Sequence, residues 1–462
     1  MRAARLITLP ELRSTLTLAI PVIAVEVGLM AMGTVDTMFM GRVSGQAVAS
    51  VAIGHTYFWV TFILGMGILF ALDPLMTQAV GAGDEPSIAR AVQRGFILAA
   101  ALAALTTLLI LPAEQVLRFL RQPPEVIPDA ARFARASIVG ILPLYCFIVV
   151  RLMLQARHRV APLVVAILAG NAANALLNWW FVVHEGWGPV GSGWASSIGR
   201  WVMFATLLAI AWREIRPCLR PWLPETLEFR PMLRLLGIGI PIAIQYELEI
   251  NAFAVVAVMM GWIGATAMAG HQISINIAAM TFMVPLGVSA AAAVRVGRAV
   301  GAGDPLAVKR AAAAALAIGV GFMSLTAIAM LVAPYPLARA YTPEAAVLAT
   351  AVALLPIAGL FQVFDGIQVV AVGILRGTGD TRTPMVINVL GFWLLGVPTS
   401  WYLGIHTSLG PRGLWWGFVA GLAAVAVLLL ARVRFRLRQH IGRTVVDERG
   451  TARGDAVLEA AS

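Results

Sequence analysis

Long apolar segments alternate with short polar connectors along the whole chain. Twelve such segments run roughly over 14–40, 46–76, 92–113, 131–155, 161–183, 191–212, 232–261, 265–293, 309–333, 346–375, 384–405 and 412–433. About 20 helical residues cross a bilayer core, so each segment is long enough to span. Breakers mark the connectors, as in Gly81-Ala82-Gly83-Asp84, Gln122-Pro123-Pro124, Gly186-Trp187-Gly188-Pro189, Gly301-Ala302-Gly303-Asp304 and Gly377-Thr378-Gly379-Asp380. The first apolar stretch runs from Leu16 past Gly33 with no small-residue cleavage site. It reads as a retained helix, too long for a signal peptide. The longest polar connector separates six spans from six. The chain is therefore expected to form an N-terminal lobe (1–212), a cytoplasmic linker (213–231), a C-terminal lobe (232–435) and a basic, disordered cytoplasmic tail (436–462).

The two halves repeat one another. At an offset of 220, Pro21 matches Pro241, Met40-Gly41 matches Met260-Gly261, and Ala79 to Asp84 matches Ala299 to Asp304 without a gap. At an offset of 222, Pro162 matches Pro384 and Gly188-Pro189 matches Gly410-Pro411. Six spans per repeat leave both halves in the same orientation. The predicted fold is an all-α integral membrane protein of twelve transmembrane helices. Its two six-helix lobes are related by a pseudo-two-fold axis along the membrane normal. Transporters built this way hold their substrate between the lobes near the midplane.

Composition excludes the soluble classes. The chain is 60% hydrophobic and 12% charged, against about 45–50% and 25% in soluble domains. Strands of about ten alternating residues, the mark of an outer-membrane barrel, are absent. Cys146 and Cys218 are too few for a disulfide scaffold and are expected to be free thiols. The net charge of +11 concerns topology. The N-terminus, the even-numbered connectors and the tail hold 24 Lys and Arg; the odd-numbered connectors hold 7. That bias places both termini in the cytoplasm. It also favours an anionic-lipid anchor over nucleic acid as the role of the tail's Arg432, Arg434, Arg436, Arg438 and Arg443.

Six acids fall inside spans: Glu26, Asp36, Asp73, Glu247, Glu249 and Asp365. A carboxylate at mid-bilayer costs roughly 2.5–3.5 kcal/mol to insert, so it faces a cavity or a partner. Apolar surroundings disfavour its charge and a bound cation favours it, so one such group can alternate between H⁺, Na⁺ and a cationic substrate. The repeat does not duplicate these acids. Asp36 pairs with Val256 and Glu249 with Leu29. Glu247 and Glu249, about 200° apart around a helix, cannot both face one cavity. Asp365 lies near the midplane, roughly 16 Å from Arg376. Asp73, just before Pro74, reads as a cap or hinge. Glu26 is open between a cavity group and an ion-pair partner such as Arg200. Asn171, Asn174 and Asn178 share one face of span 5. They either glue helices or hold a cation or a carboxylate.

Several motifs occur in order on this duplicated frame. Span 1 has Val35-Asp36-Thr37-Met38-Phe39-Met40-Gly41, and Gln78 to Gly83 follows span 2. Pro241-Ile242-Ala243 precedes Glu249, and Asp365 precedes Gln368-Val369-Val370 and Leu375-Arg376-Gly377. The chain resembles the multidrug and toxic compound extrusion (MATE) transporters, particularly their NorM-like bacterial branch, over about residues 10–440. The resemblance implies export of cationic, amphipathic drugs and dyes in exchange for Na⁺ or H⁺, without a cofactor or enzymatic step. Asp36 matches the N-lobe coupling aspartate, with Asn174, Asn178 and Ser196 as its polar partners. Glu249 and Asp365 match the C-lobe cation-binding acids; with Asp36 they would ligate Na⁺ if the protein is sodium-coupled. Phe361 departs from the branch, which usually has a tyrosine there. Met32, Met260, Met283 and Phe361 are candidates for the substrate lining, adaptable apolar side chains of the kind that suits many ligands. The expected setting is the bacterial inner membrane, with drugs and lipids as partners, no nucleic acid, and a monomer. The alternative is a lipid-linked oligosaccharide flippase of the same superfamily, for which Arg200 is the main interior cation. An intramembrane enzyme or a channel is disfavoured by the dispersed histidines, the missing HExxH and the duplicated lobes.

Overall fold

The computed structural model describes residues 6–447. The last part of the expected tail, 448–462, lies outside the described residues. Among the described residues, twelve long helices occupy the twelve apolar segments: α1 (Leu9–Met40), α2 (Gly45–Gly81), α3 (Glu85–Ile110), α4 (Ile127–Ala156), α5 (Ala161–His184), α6 (Gly188–Ile210), α7 (Phe229–Ile263), α8 (Ala265–Gly301), α9 (Pro305–Val332), α10 (Ala345–Gly377), α11 (Arg382–Ile405) and α12 (Pro411–Arg436). Eleven are long and apolar enough to cross a membrane. The count reaches twelve when α6 and the short helix Trp212–Leu219, bent by 85°, are taken as one span. The bend falls where Arg213, Glu214 and Arg216 replace apolar residues. Many large apolar side chains face outward, among them Leu108, Leu168, Leu176, Val332 and Leu394. So apolar an exterior suits lipid and not water.

Element boundaries obey the repeat. Gly83 and Gly303, 220 residues apart, both have φ of +68°. Only glycine adopts that conformation without strain, and here it turns the chain between two antiparallel spans. The next residue caps the following helix in both halves. Asp84 accepts from the Ser87 amide at 3.0 Å, and Asp304 from those of Leu306 and Ala307 at 3.0 and 2.9 Å. Asp84→Ala is expected to destabilise the protein by about 1 kcal/mol, read as a lower unfolding midpoint in detergent.

Contacts divide the chain into two compact units. The first takes the described residues up to Ile23 together with Ile244–Thr444; the second takes Ala24–Ala243 together with those from Val445 on. Two of these boundaries fall just after Pro21 in α1 and Pro241 in α7, prolines that lie inside helices. Proline removes a backbone donor and loosens the helix there. In the second unit α2 breaks at Phe70–Ala71, and Asp73 lies in the first turn after the break. The connector 213–231 packs on α3 of the same unit. The Gln93 amide donates to the Cys218 and Pro221 carbonyls and accepts from the Leu223 amide and the Thr226 hydroxyl. Arg90 and Arg94 meet Asp447 at 2.9 and 2.7 Å, and Val446 is buried. Both cysteines are buried and free.

Candidate functional site

The second unit gathers the polar residues of three spans around Asp36. Gly170 of α5 faces Gly199 of α6. A Cβ on either would come within 3.1 Å of the other's carbonyl oxygen, so these helices cross closer than larger residues permit. The crossing brings Asn174 beside Ser196, its amide nitrogen 3.1 Å from the Ser196 hydroxyl. Asn178, one turn further along α5, shares that face. All three side chains donate to the Asp36 carboxylate of α1. Asn174 and Asn178 reach Oδ1 at 3.0 and 2.7 Å, and Ser196 reaches Oδ2 at 2.5 Å. Asp36 is 1% exposed, and the two asparagines are fully enclosed. Among the described residues, neutral donors thus hold a buried carboxylate with no direct salt bridge. The Oδ1 atoms of Asn174 and Asn178 are buried without partners.

A small cavity opens beside this cluster. Met32 and Asp36 of α1, His55 and Trp59 of α2, and Ser196 and Arg200 of α6 all line it. The Trp59 indole donates to His55 Nε2 at 2.7 Å. Asn171, the third asparagine of the α5 face, is used differently. It donates to the Gly28 and Ile167 carbonyls and ties α5 to α1. Glu26 pairs with Arg151 of α4 and not with Arg200, which resolves the alternative left open by its position.

The first unit holds Glu247, Glu249 and Asp365. Glu249 of α7 receives the Asn388 amide of α11 at 3.5 Å and a hydrogen bond from Gln368. Asp365 of α10 is 7% exposed and interacts electrostatically with Glu249. Glu247, two residues away on α7, bonds with Asn251 instead. Phe361 is enclosed among Phe253, Trp415 and Phe418, with ring centroids 5.6–5.9 Å away. Met260 is fully buried, whereas Met283 is half-buried. Among the described residues no three Asp, Glu, His or Cys side chains gather as a metal-holding group.

Two features escaped the sequence. Asn388 aligns with Ala166 under the later offset, so the repeat did not point to it. A lone asparagine in an apolar span was the available signal. The second is helix geometry. A π-helical stretch begins right after Asn178, at Trp179–His184, and right after Asn388, at Val389–Gly396. Widened turns of this kind recur at functional sites, and here each follows an asparagine that meets an acid of another span.

The MatE family profile matches residues 21–180 and again 241–402, two copies 220 residues apart. The chain belongs to the MatE family. It is 34% identical over 440 residues to the multidrug resistance protein MdtK of Edwardsiella ictaluri, covering 93% of this chain and 96% of that protein. It is 36% identical over 438 residues to the probable multidrug resistance protein NorM of Mesorhizobium japonicum, covering 91% and 93%. Among solved structures, the eukaryotic MATE transporter AtDTX14 superposes with a TM-score of 0.83 at 23% identity, covering 93% of this MatE chain and 99% of that one. An outward-facing multidrug resistance MATE transporter superposes with a TM-score of 0.85 at 18% identity, covering 93% and 96%. These two likenesses concern the fold.

Proposed function

We propose that this MatE protein is a multidrug efflux antiporter of the bacterial inner membrane. It exports cationic, amphipathic compounds in exchange for Na⁺ or H⁺ by alternating access, with both termini in the cytoplasm. The observation that carries this reading is the enclosed Asp36 carboxylate, held by Asn174, Asn178 and Ser196. Donors from three neutral groups steady its charged form, while its oxygens stay the basic atoms of the cluster. A cationic substrate is favoured while the carboxylate is charged. Arrival of Na⁺ or H⁺ removes that attraction and favours release. Glu249 and Asp365 provide a second acidic pair that can take a cation in the same way. The MdtK and NorM names of the relatives support the drug substrates.

The test is ethidium and norfloxacin accumulation in an efflux-deficient bacterium expressing the protein, with Na⁺ and the pH gradient varied separately. Export is expected to stop when the driving gradient is removed. Asp365→Asn is expected to lower the initial export rate roughly tenfold, the scale of one lost charged interaction. Lipid scrambling with no export of any cationic compound would establish the flippase reading instead.

A further inference from the structure

We infer that Arg200 is the fixed counter-charge of the Asp36 cavity, and that it turns neutralisation of Asp36 into expulsion of a cationic substrate. The inference rests on the antiporter reading and assigns a role to a residue that reading leaves unused. Arg200 lies one helical turn beyond Ser196 on α6, on the same face, and Ser196 donates to Asp36. Both Asp36 and Arg200 line the same cavity. Arg200 is 5% exposed, and Asp36 is its electrostatic counterpart. Its guanidinium carbon sits 4.2 Å from the centroid of the Phe58 ring, and one nitrogen reaches the Ser137 carbonyl at 3.5 Å. Gly140 makes room for the side chain, since a Cβ there would lie 2.9 Å from Arg200 Cδ. The charge is held in place by packing against an aromatic face.

The remaining groups around the cavity do not disturb the count. His55 of α2 accepts from Trp59 and is neutral in this arrangement. α5 contributes neutral amides, and α4 contributes Leu144. With Asp36 ionised, Asp36 and Arg200 sum to zero, and a monocation meets an attractive carboxylate. With Asp36 neutralised by the coupling cation, the cavity is left with one positive charge. A cationic substrate then meets repulsion as well as lost attraction, and like charges brought together in a poorly solvated site are costly. Without Arg200, neutralisation would remove the attraction and supply no push.

A charge-count cycle tests this at one pH and one salt concentration. Ethidium binding to the purified protein is measured by fluorescence for the parent, Asp36→Asn, Arg200→Gln and the double variant. Asp36→Asn is expected to weaken binding by about tenfold or more, from like-charge repulsion in a poorly solvated site. The double variant, again with a summed charge of zero, is expected to return to within about threefold of the parent, since the repulsive charge is gone. Arg200→Gln alone is expected to bind more tightly than the parent and to export more slowly. If the double variant binds as weakly as Asp36→Asn, the counter-charge role is wrong. A parent that binds and exports no cationic dye overturns the antiporter reading itself, and this inference with it.

Discussion

Asp36→Asn is expected to abolish coupled export and return ethidium accumulation to the level of the efflux-deficient host. The substitution preserves volume and removes the charge. It also reverses one hydrogen-bonding direction. The new amide presents N–H groups where Asn174, Asn178 and Ser196 already donate. The Ser196 hydroxyl can turn to accept from the new amide, but its own proton then loses the carboxylate it was given to, which costs about 1–3 kcal/mol in an enclosed site. Loss of the exchangeable charge is the larger effect, since neither H⁺ nor Na⁺ has a basic oxygen left to bind there. A fall in initial export rate of roughly a hundredfold is the expected scale for removing a buried charged group from its partners, at 2–5 kcal/mol. Ser196→Ala, which removes one of three donors, is expected to cost only about tenfold, near 1.5 kcal/mol. The check is initial-rate dye efflux normalised to protein in the membrane by immunoblot. Wild-type export by Asp36→Asn at equal protein would remove Asp36 from the coupling machinery.

The second large effect concerns stability. Glu26→Leu is expected to cost about 3–5 kcal/mol, because it leaves the Arg151 guanidinium buried without its counter-ion. The Arg151 side chain is 6% exposed and that of Glu26 is 18% exposed, and both lie in spans. Arg151 Nε already lacks a partner. The double variant Glu26→Leu/Arg151→Met is expected to recover most of the loss, since a packed apolar pair carries no desolvation penalty. Unfolding midpoints in detergent for the parent, both single variants and the double variant decide the matter. Equal losses in the Glu26 single and the double variants would mean that packing volume, and not the unpaired charge, sets the cost.

Several parts of this architecture were legible in the residues. Apolar runs long enough to span have no alternative in lipid but to close their backbone hydrogen bonds internally as helices. Hence the twelve segments and the all-helical fold follow from hydropathy and length. The glycine and aspartate pairs at 83–84 and 303–304 marked real turns, because left-handed glycine and a capping carboxylate are local requirements. The spans themselves run further than the apolar residues suggest. α2 extends to Gly81 through a break at Phe70–Ala71, since helical hydrogen bonding continues into polar residues once the chain reaches buried protein.

The partners of the intramembrane charges were less legible. A single span shows which residues are anomalous and on which face they lie. It does not show which anomaly on another helix will meet them. Asn171 and Asn174 are three residues apart on one face, yet one ties backbone to backbone and the other holds Asp36. The difference arises from the local crossing with α1 and α6, set by Gly28, Gly170 and Gly199. Glu26 found Arg151 rather than Arg200 for the same kind of reason. α4 presents a guanidinium at that depth, whereas Arg200 is held on Phe58 beside Asp36.

By itself the sequence determined the class of solvent, the number of spans, their duplication and the identity of the misplaced charges. All of these are properties of one residue or one helix at a time, written in hydropathy and spacing. Only the tertiary structure decided that Asp36 is cradled by neutral donors, that Arg200 shares its cavity, and that Asn388 attends Glu249. Those are meetings between helices far apart in the chain. Their geometry depends on how closely small residues let the backbones approach, which no single span records.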